Sequence, residues 1–233
     1  MASYPRYAIY YAPPSRKPIA RFGAALLGYD ALSGNDVAFP KEAITVAPDW
    51  HDVTSDPRKY GFHGTLKAPF SLADGTTEAG LLEACEAFAK AGRAIPVIVP
   101  VVDAITAFIA VTPEEPSATL QTLAQDCVVA FDGFRAPLAP EDRARRNPDE
   151  LTVRQVEQLD RWGYPYVMED FRFHMTLTGR LSKSRRGPIL GMLRARFAEL
   201  GLTSLAIDRI ALFRQDDAAS RFRIIRQDVL TPV

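Results

Sequence analysis

Two short runs of this chain carry residues able to do chemistry at matched positions: Phe62-His63-Gly64-Thr65-Leu66 and Phe173-His174-Met175-Thr176-Leu177. The chain has only three histidines, and two of them sit in this one frame of Phe, His, any residue, Thr, Leu. In a β-strand, side chains alternate faces, so residues i and i+2 project together. His63 then points with Thr65, and His174 with Thr176, while Phe62, Gly64 and Leu66 and their counterparts Phe173, Met175 and Leu177 face a core. Two such strands meeting at one cleft supply two imidazoles and two hydroxyls. That set suits a phosphodiester: one imidazole accepts a proton from the attacking water, the other protonates the leaving oxygen. The hydroxyls donate to the non-bridging oxygens.

The same alternation nominates neighbours. Lys67 shares the parity of His63 and Thr65; Arg172 and Thr178 share that of His174. Lys67 or Arg172 would add positive charge beside a bound phosphate, set against the plainer role of a solvated strand-end cation. Tyr60 and Tyr166 flank the motif strands in loops, where they would stack on a base or ribose or else pack in the core. Tyr10 and Tyr11 have opposite parity, so at most one faces the cleft, and Tyr11 is the candidate. The third histidine, His51, lies in Asp49-Trp50-His51-Asp52 without a hydroxyl at +2, as a loop histidine would. No carboxylate or histidine stands at metal-motif spacing from either strand histidine, so neither a metal nor another cofactor is expected.

Paired His-x-Thr motifs, each in an apolar strand, resemble those of the 2H phosphoesterase superfamily, which includes RNA 2′,3′-cyclic phosphodiesterases and bacterial 2′,5′ RNA ligases. The longer runs Arg6–Pro13, Tyr60–Phe70 and Phe171–Gly179 are similar to a branch of bacterial 2H proteins found with phosphonate-utilisation genes. The resemblance spans nearly the whole chain. It implies metal-independent hydrolysis of a small cyclic phosphate or related phosphodiester, with His63 and His174 as acid and base and Thr65 and Thr176 holding phosphate oxygens. An RNA end is the alternative substrate, met by a cyclic phosphodiesterase or a ligase. A binding module that keeps the pocket without turnover is a third reading.

The elements that must position these residues can be read in outline. The order motif strand, helix, strand, strand occurs twice. It gives an α+β fold of two similar lobes with antiparallel sheets around a central cleft, related by a pseudo-two-fold axis. The whole of 1–233 forms one domain, with lobe one at about 1–135 and lobe two at about 149–233. Residues 6–12 read as an aromatic strand and 17–28 as a short helix. Residues 29–58, rich in Gly, Pro, Asp and Ser, read as a long, partly irregular excursion over the cleft. Helices are expected at 77–91, after Ser117, from Asn147-Pro148 to Trp162, and at about 187–200. Paired strands are expected at 97–102 with 105–111, and at 205–213 with 221–229.

Composition sets limits. With 28 basic and 28 acidic side chains the formal net charge is zero. That disfavours a protein coating long nucleic acid, which needs many uncompensated cations. It leaves room for a small phosphorylated partner in a local basic cleft. Cys85 and Cys127 lack a CxxC spacing and read as buried small hydrophobes. No apolar run approaches a membrane span and no leader pattern opens the chain, so a monomer in the cytoplasm is expected, without a membrane partner.

Overall fold

In the computed structural model, which describes residues 3–233, strand β1 (Arg6–Tyr11) sets the two sides of the molecule. Tyr7, Ile9 and Tyr11 enter the main hydrophobic core, while Ala8, Tyr10 and Ala12 join a smaller cluster with Tyr29, Phe213 and Phe222 on the opposite face. Helix α1 (Pro18–Leu27) follows. Proline at its first position has the φ a helix needs and no N–H to leave unpaired. Gly28 stops the helix in the left-handed conformation, φ +69°.

The segment expected to be an irregular excursion is ordered into three short helices, α2 (Lys41–Val46), α3 (Trp50–Val53) and α4 (Ser55–Arg58). Sequence periodicity does not reveal them, because each is too short to show a stripe. Tertiary contacts hold them. Trp50 is fully buried and its Nε1 donates to the Leu26 carbonyl at 2.8 Å; Arg58 Nε donates to the Leu27 carbonyl at 2.8 Å. The carbonyls left open at the end of α1 thus find partners in this segment.

Next come β2 (Gly64–Ser71), α5 (Glu78–Lys90), β3 (Val97–Ile98), β4 (Pro100–Ile105), β5 (Phe108–Pro113) and α6 (Ala118–Ala130). Thr77 and Ser117 cap α5 and α6 through their side-chain oxygens, Ser117 as expected from sequence. Then follow α7 (Pro140–Ala144), α8 (Val153–Trp162), β6 (Met175–Thr176), α9 (Lys183–Ala198), β7 (Leu205–Ala206), β8 (Arg209–Gln215) and β9 (Arg223–Val229). Helix α8 does not start at Asn147. Pro148–Glu150 is a separate 3-10 turn, and a capping box between Thr152 and Gln155 starts the helix. Helix α9 begins earlier than its apolar stripe suggests and carries Pro188 inside it.

The seven-stranded sheet has the order β4-β5-β6-β2-β1-β8-β9 with antiparallel pairing throughout, and β3 pairs with β7 apart from it. The motif strands β2 and β6 are therefore direct neighbours. Each half of the sequence lends its hairpin to the other half: β4–β5 continues the sheet beyond β6, while β8–β9 continues it beyond β1. Helices α1, α5, α6 and α9 contribute to the main core on one face. The opposite face is left for the motif side chains.

Candidate active site

The site is built on one ladder pair, Gly64 opposite Met175 in antiparallel register. Both residues face the main core, and carrying the register one residue each way sets His63 opposite Thr176 and Thr65 opposite His174. The four motif residues thus form a square on one face, each histidine across from the other motif's threonine. The histidines lie on its diagonal, about 7–8 Å apart at ordinary sheet spacing.

Backbone carbonyls orient both imidazoles in the same way. His63 Nδ1 meets the Gly61 carbonyl at 2.9 Å, and His174 Nδ1 meets the Arg172 carbonyl at 2.7 Å, each two residues upstream. A carbonyl only accepts, so Nδ1 carries the proton and Nε2 is the free base. Gly61 takes φ +73°, a conformation that suits glycine, and a Cβ there would lie 2.6 Å from Cβ of Ala31. The Thr65 hydroxyl lies 3.3 Å from His63 Nε2. Burial lowers the His63 pKa to about 4, the Gly61 carbonyl opposing and the charge of His174 adding to the fall. Burial also lowers that of His174, opposed by the Arg172 carbonyl. Both rings are neutral at pH 7. Tyr10 stacks on His63 with ring centroids 3.8 Å apart and planes at 21°, whereas Phe108 tilts against His174 at 5.5 Å.

A cavity of about 320 Å³ opens over this face; His63, Thr65 and Thr176 line it, while His174 is outside the lining, its ring against Phe108, which does line it. Its charged rim is Arg6, Arg146, Arg180 and Asp56. Arg6 is steadied by the Gln215 side-chain oxygen, which accepts from Nε at 3.0 Å and from Nη2 at 2.5 Å. Arg146 lies over the Tyr164 ring at 5.1 Å.

Several expected neighbours stand elsewhere. Lys67 does not face the cleft. The β1–β2 register shifts between Tyr10/Thr65 and Ile9/Lys67, and this bulge breaks the alternation just after Thr65. Lys67 turns to the core side instead, 3% exposed, donating at 3.0 Å to both the Val128 carbonyl and Asp132 Oδ1. Tyr11 is likewise corrected: it packs in the main core with its hydroxyl on the Ala206 carbonyl at 3.2 Å, and Tyr10 is the one on the motif face. Arg172 has an exposed side chain outside the cavity lining, and it is its carbonyl that meets His174. Tyr166 is exposed and edge-on to Tyr164, and Tyr164 is the residue of that pair lining the cavity. Tyr60 does line it, stacked on Phe222 at 5.1 Å. Thr178 also lines the cavity although almost fully buried, accepting from the Ile109 N–H and donating to the Gly179 carbonyl. His51 is a surface residue beside Asp52.

Parity carried further along the chain would have found Arg6, four residues before Tyr10, and Arg180, two beyond Thr178. Arg146 and Tyr164 arrive from the α7–α8 region and have no such signal. Among the described residues no group of three or more His, Cys, Asp or Glu is placed to hold a metal ion, and no helix is long and apolar enough to cross a membrane. Cys85 and Cys127 are both buried.

Among curated proteins, the chain is 35% identical over 230 residues to the protein named ribose 1,5-bisphosphate phosphokinase PhnN of Janthinobacterium sp. (strain Marseille), covering 94% of this chain and 49% of that protein. It is 32% identical over 225 residues to the protein of the same name in Laribacter hongkongensis (strain HLHK9), covering 95% and 51%. The chain spans about half the length of these curated relatives. Similar solved structures include E. coli LigT complexed with 3′-AMP, with a TM-score of 0.40 and 14% identity over 97% of this chain and 98% of that one. Another is a structure described as a phosphoesterase, with a TM-score of 0.42 and 15% identity over 98% and 99%. A family model matches residues 65–223, a stretch holding Thr65, His174 and Thr176, and the chain belongs to that family, described as "Protein of unknown function (DUF1045)".

Proposed function

We propose that the chain is a phosphodiesterase of the two-histidine type, acting on a small cyclic phosphate without a metal. The observation that carries this reading is the matched pair of imidazoles. Both hold Nδ1–H on a backbone carbonyl, and the ladder register sets them diagonally with a threonine opposite each. In the reaction, neutral Nε2 of one histidine takes a proton from water as its oxygen attacks phosphorus. The bond from phosphorus to the ring oxygen of the cyclic ester breaks, and that oxygen takes a proton from Nε2 of the other, protonated histidine. The product is a phosphate monoester with a free hydroxyl. Thr65 and Thr176 donate to the non-bridging oxygens, and the rim arginines favour the anion. An anionic phosphate between the rings raises the pKa of both, which supplies the protonated partner that the free enzyme lacks at pH 7.

The kinase activity in the relatives' names is said of those longer proteins. This chain contains no Gly-x-x-x-x-Gly-Lys-Ser/Thr run, the loop that cradles nucleotide phosphates in many kinases. The diester reading therefore fits its own residues better than phosphoryl transfer from a nucleotide. A membership in phosphonate breakdown is consistent with a phosphorylated sugar as substrate.

The test is hydrolysis of a panel of cyclic phosphates in the presence of EDTA: 2′,3′-cyclic nucleotides, ribose cyclic phosphates and short RNAs with cyclic ends. Wild type is expected to turn over one class, and His63→Ala and His174→Ala each to lose at least about 10²-fold, in line with a general acid or base. Turnover abolished by EDTA, or retained by either variant, would contradict the proposal.

A further inference from the structure

The cavity on the motif face adjoins a second one, of about 370 Å³, which the chemistry above does not use. Arg6, Tyr60, Pro69 and Arg146 line both, so the two spaces are neighbours. The second is strongly basic. Arg6, Arg135, Arg145 and Arg146 line it, against the single carboxylate of Asp142, which pairs with Arg145. Among the described residues neither Arg6 nor Arg146 is ion-paired to a carboxylate.

One of these arginines is built in rather than merely exposed. The backbone on either side of the cavity floor is pinned: Ala136 N–H donates to the Ser71 carbonyl at 2.8 Å and Ala73 N–H to the Phe134 carbonyl at 2.9 Å. Arg135 has a 14% exposed side chain and donates to both oxygens of Asp132 and to the carbonyls of Ala136 and Arg161. A guanidinium has five N–H groups, so one on Nη1 is left for a ligand. Behind it lies the buried Lys67, bonded to the same Asp132. Two cations thus share one carboxylate, leaving an uncompensated positive charge at the cavity wall.

We propose that this second cavity binds a second phosphate carried by the same substrate molecule as the diester. The proposal rests on the phosphodiesterase reading of the two-histidine cleft. The cluster's fork-shaped donors and excess charge match a phosphate group. A terminal monoester of a small doubly phosphorylated compound and the next diester of an RNA end share this chemistry.

The experiment compares adenosine 2′,3′-cyclic phosphate, its 5′-phosphorylated form, and a dinucleotide with a 2′,3′-cyclic end. In wild type a second phosphate should raise kcat/KM by about tenfold or more. Arg145→Glu should bring the ratio of doubly to singly phosphorylated substrate down towards one. A gain with the 5′-monoester alone marks a small substrate, and a gain with the dinucleotide alone marks an RNA end; both support the site. Equal kcat/KM for all three, or a ratio that survives Arg145→Glu, overturns it. If no substrate is cleaved, calorimetry with adenosine 5′-monophosphate against adenosine decides separately. Binding at least tenfold tighter for the phosphorylated probe, lost in Arg145→Glu, supports the subsite and shows that the hydrolytic reading alone failed. Equal binding overturns the subsite.

Discussion

Replacing Gly64 by alanine should damage catalysis and stability together, because this residue joins the core to both motifs. Gly64 lies between His63 and Thr65, and a Cβ built on it would stand 2.4 and 2.5 Å from Cε2 and Cζ of Phe173. Carbon atoms in contact prefer about 3.5–4.0 Å, so the ring must retreat by about 1 Å. Phe173 is buried and immediately precedes His174, and Gly64 pairs with Met175 just beyond. The displacement is therefore delivered to the second histidine. Overpacking of this kind costs about 1–3 kcal/mol. For a chain of this size that corresponds to a fall of about 2–12 °C in Tm. A displacement of ~1 Å between catalytic groups costs about 10²-fold in rate. The assays are thermal denaturation and kcat on the substrate found by the cyclic-phosphate panel. Phe173→Leu makes room, so the double variant Gly64→Ala/Phe173→Leu should be more active than Gly64→Ala alone, a positive coupling between neighbours. A Gly64→Ala protein with wild-type Tm and turnover would refute the packing argument, as would a double variant in which the two losses simply add.

Tyr10→Leu removes the ring stacked on His63 and should cost about 0.5–1.5 kcal/mol with a matching fall in kcat/KM, while Tyr10→Phe keeps the stack and stays near wild type; equal kinetics for the two variants would count against the stack. Lys67→Met should retain turnover and lose little stability, because Asp132 keeps Arg135, whereas Asp132→Ala strands a buried Lys67 and should cost about 3–5 kcal/mol by urea denaturation. Were Lys67→Met to abolish turnover of a singly phosphorylated cyclic substrate instead, its placement away from the motif face would be wrong. With both histidine pKa values lowered, the form of the free enzyme carrying one proton on the pair is most populated below pH 6.5, so kcat/KM should peak there, with an acid limb near 4; a maximum above pH 7 contradicts this. For stability, the depressed His63 favours the neutral form in the fold, so its contribution is full above about pH 6.5 and is lost as pH falls towards 4. At one unit per 1.36 kcal/mol the loss is roughly 3 kcal/mol, and the stability gap between wild type and His63→Gln should narrow over that range. A gap that stays constant with pH would be the contrary result.

The motif square was legible in the sequence because strand parity is a local rule and both motifs obey it. Lys67 shows where the rule ends: a bulge of one residue in β2 turns the chain after Thr65, and no residue in Thr65-Leu66-Lys67 announces it. Parity also said that Tyr10 and Tyr11 face opposite ways but not which faces the cleft, since both are large aromatics able to fill either side. The three helices in 41–58 were unreadable because contacts with the end of α1, through Trp50 and Arg58, hold them rather than any stripe of their own. The exchange of hairpins between the two halves was hidden for a similar reason. Element order gives which strands follow one another, while pairing of β5 with β6 depends on contacts more than sixty residues apart in sequence. The basic second cavity belongs to the same class: Arg6 is far in sequence from Arg135, Arg145 and Arg146 and meets them only through the fold.

Nitrogen-15 NMR of the imidazoles, followed from pH 4 to 8 with and without inorganic phosphate, tests most directly whether the two histidines act on one phosphate. Three histidines make the spectrum assignable by single substitutions. His63 and His174 should both appear as Nδ1–H tautomers when neutral, titrate below 6.5, and shift their titrations upward together when phosphate is added. An Nε2–H tautomer at either motif histidine, or a phosphate response confined to one of them, would contradict the account.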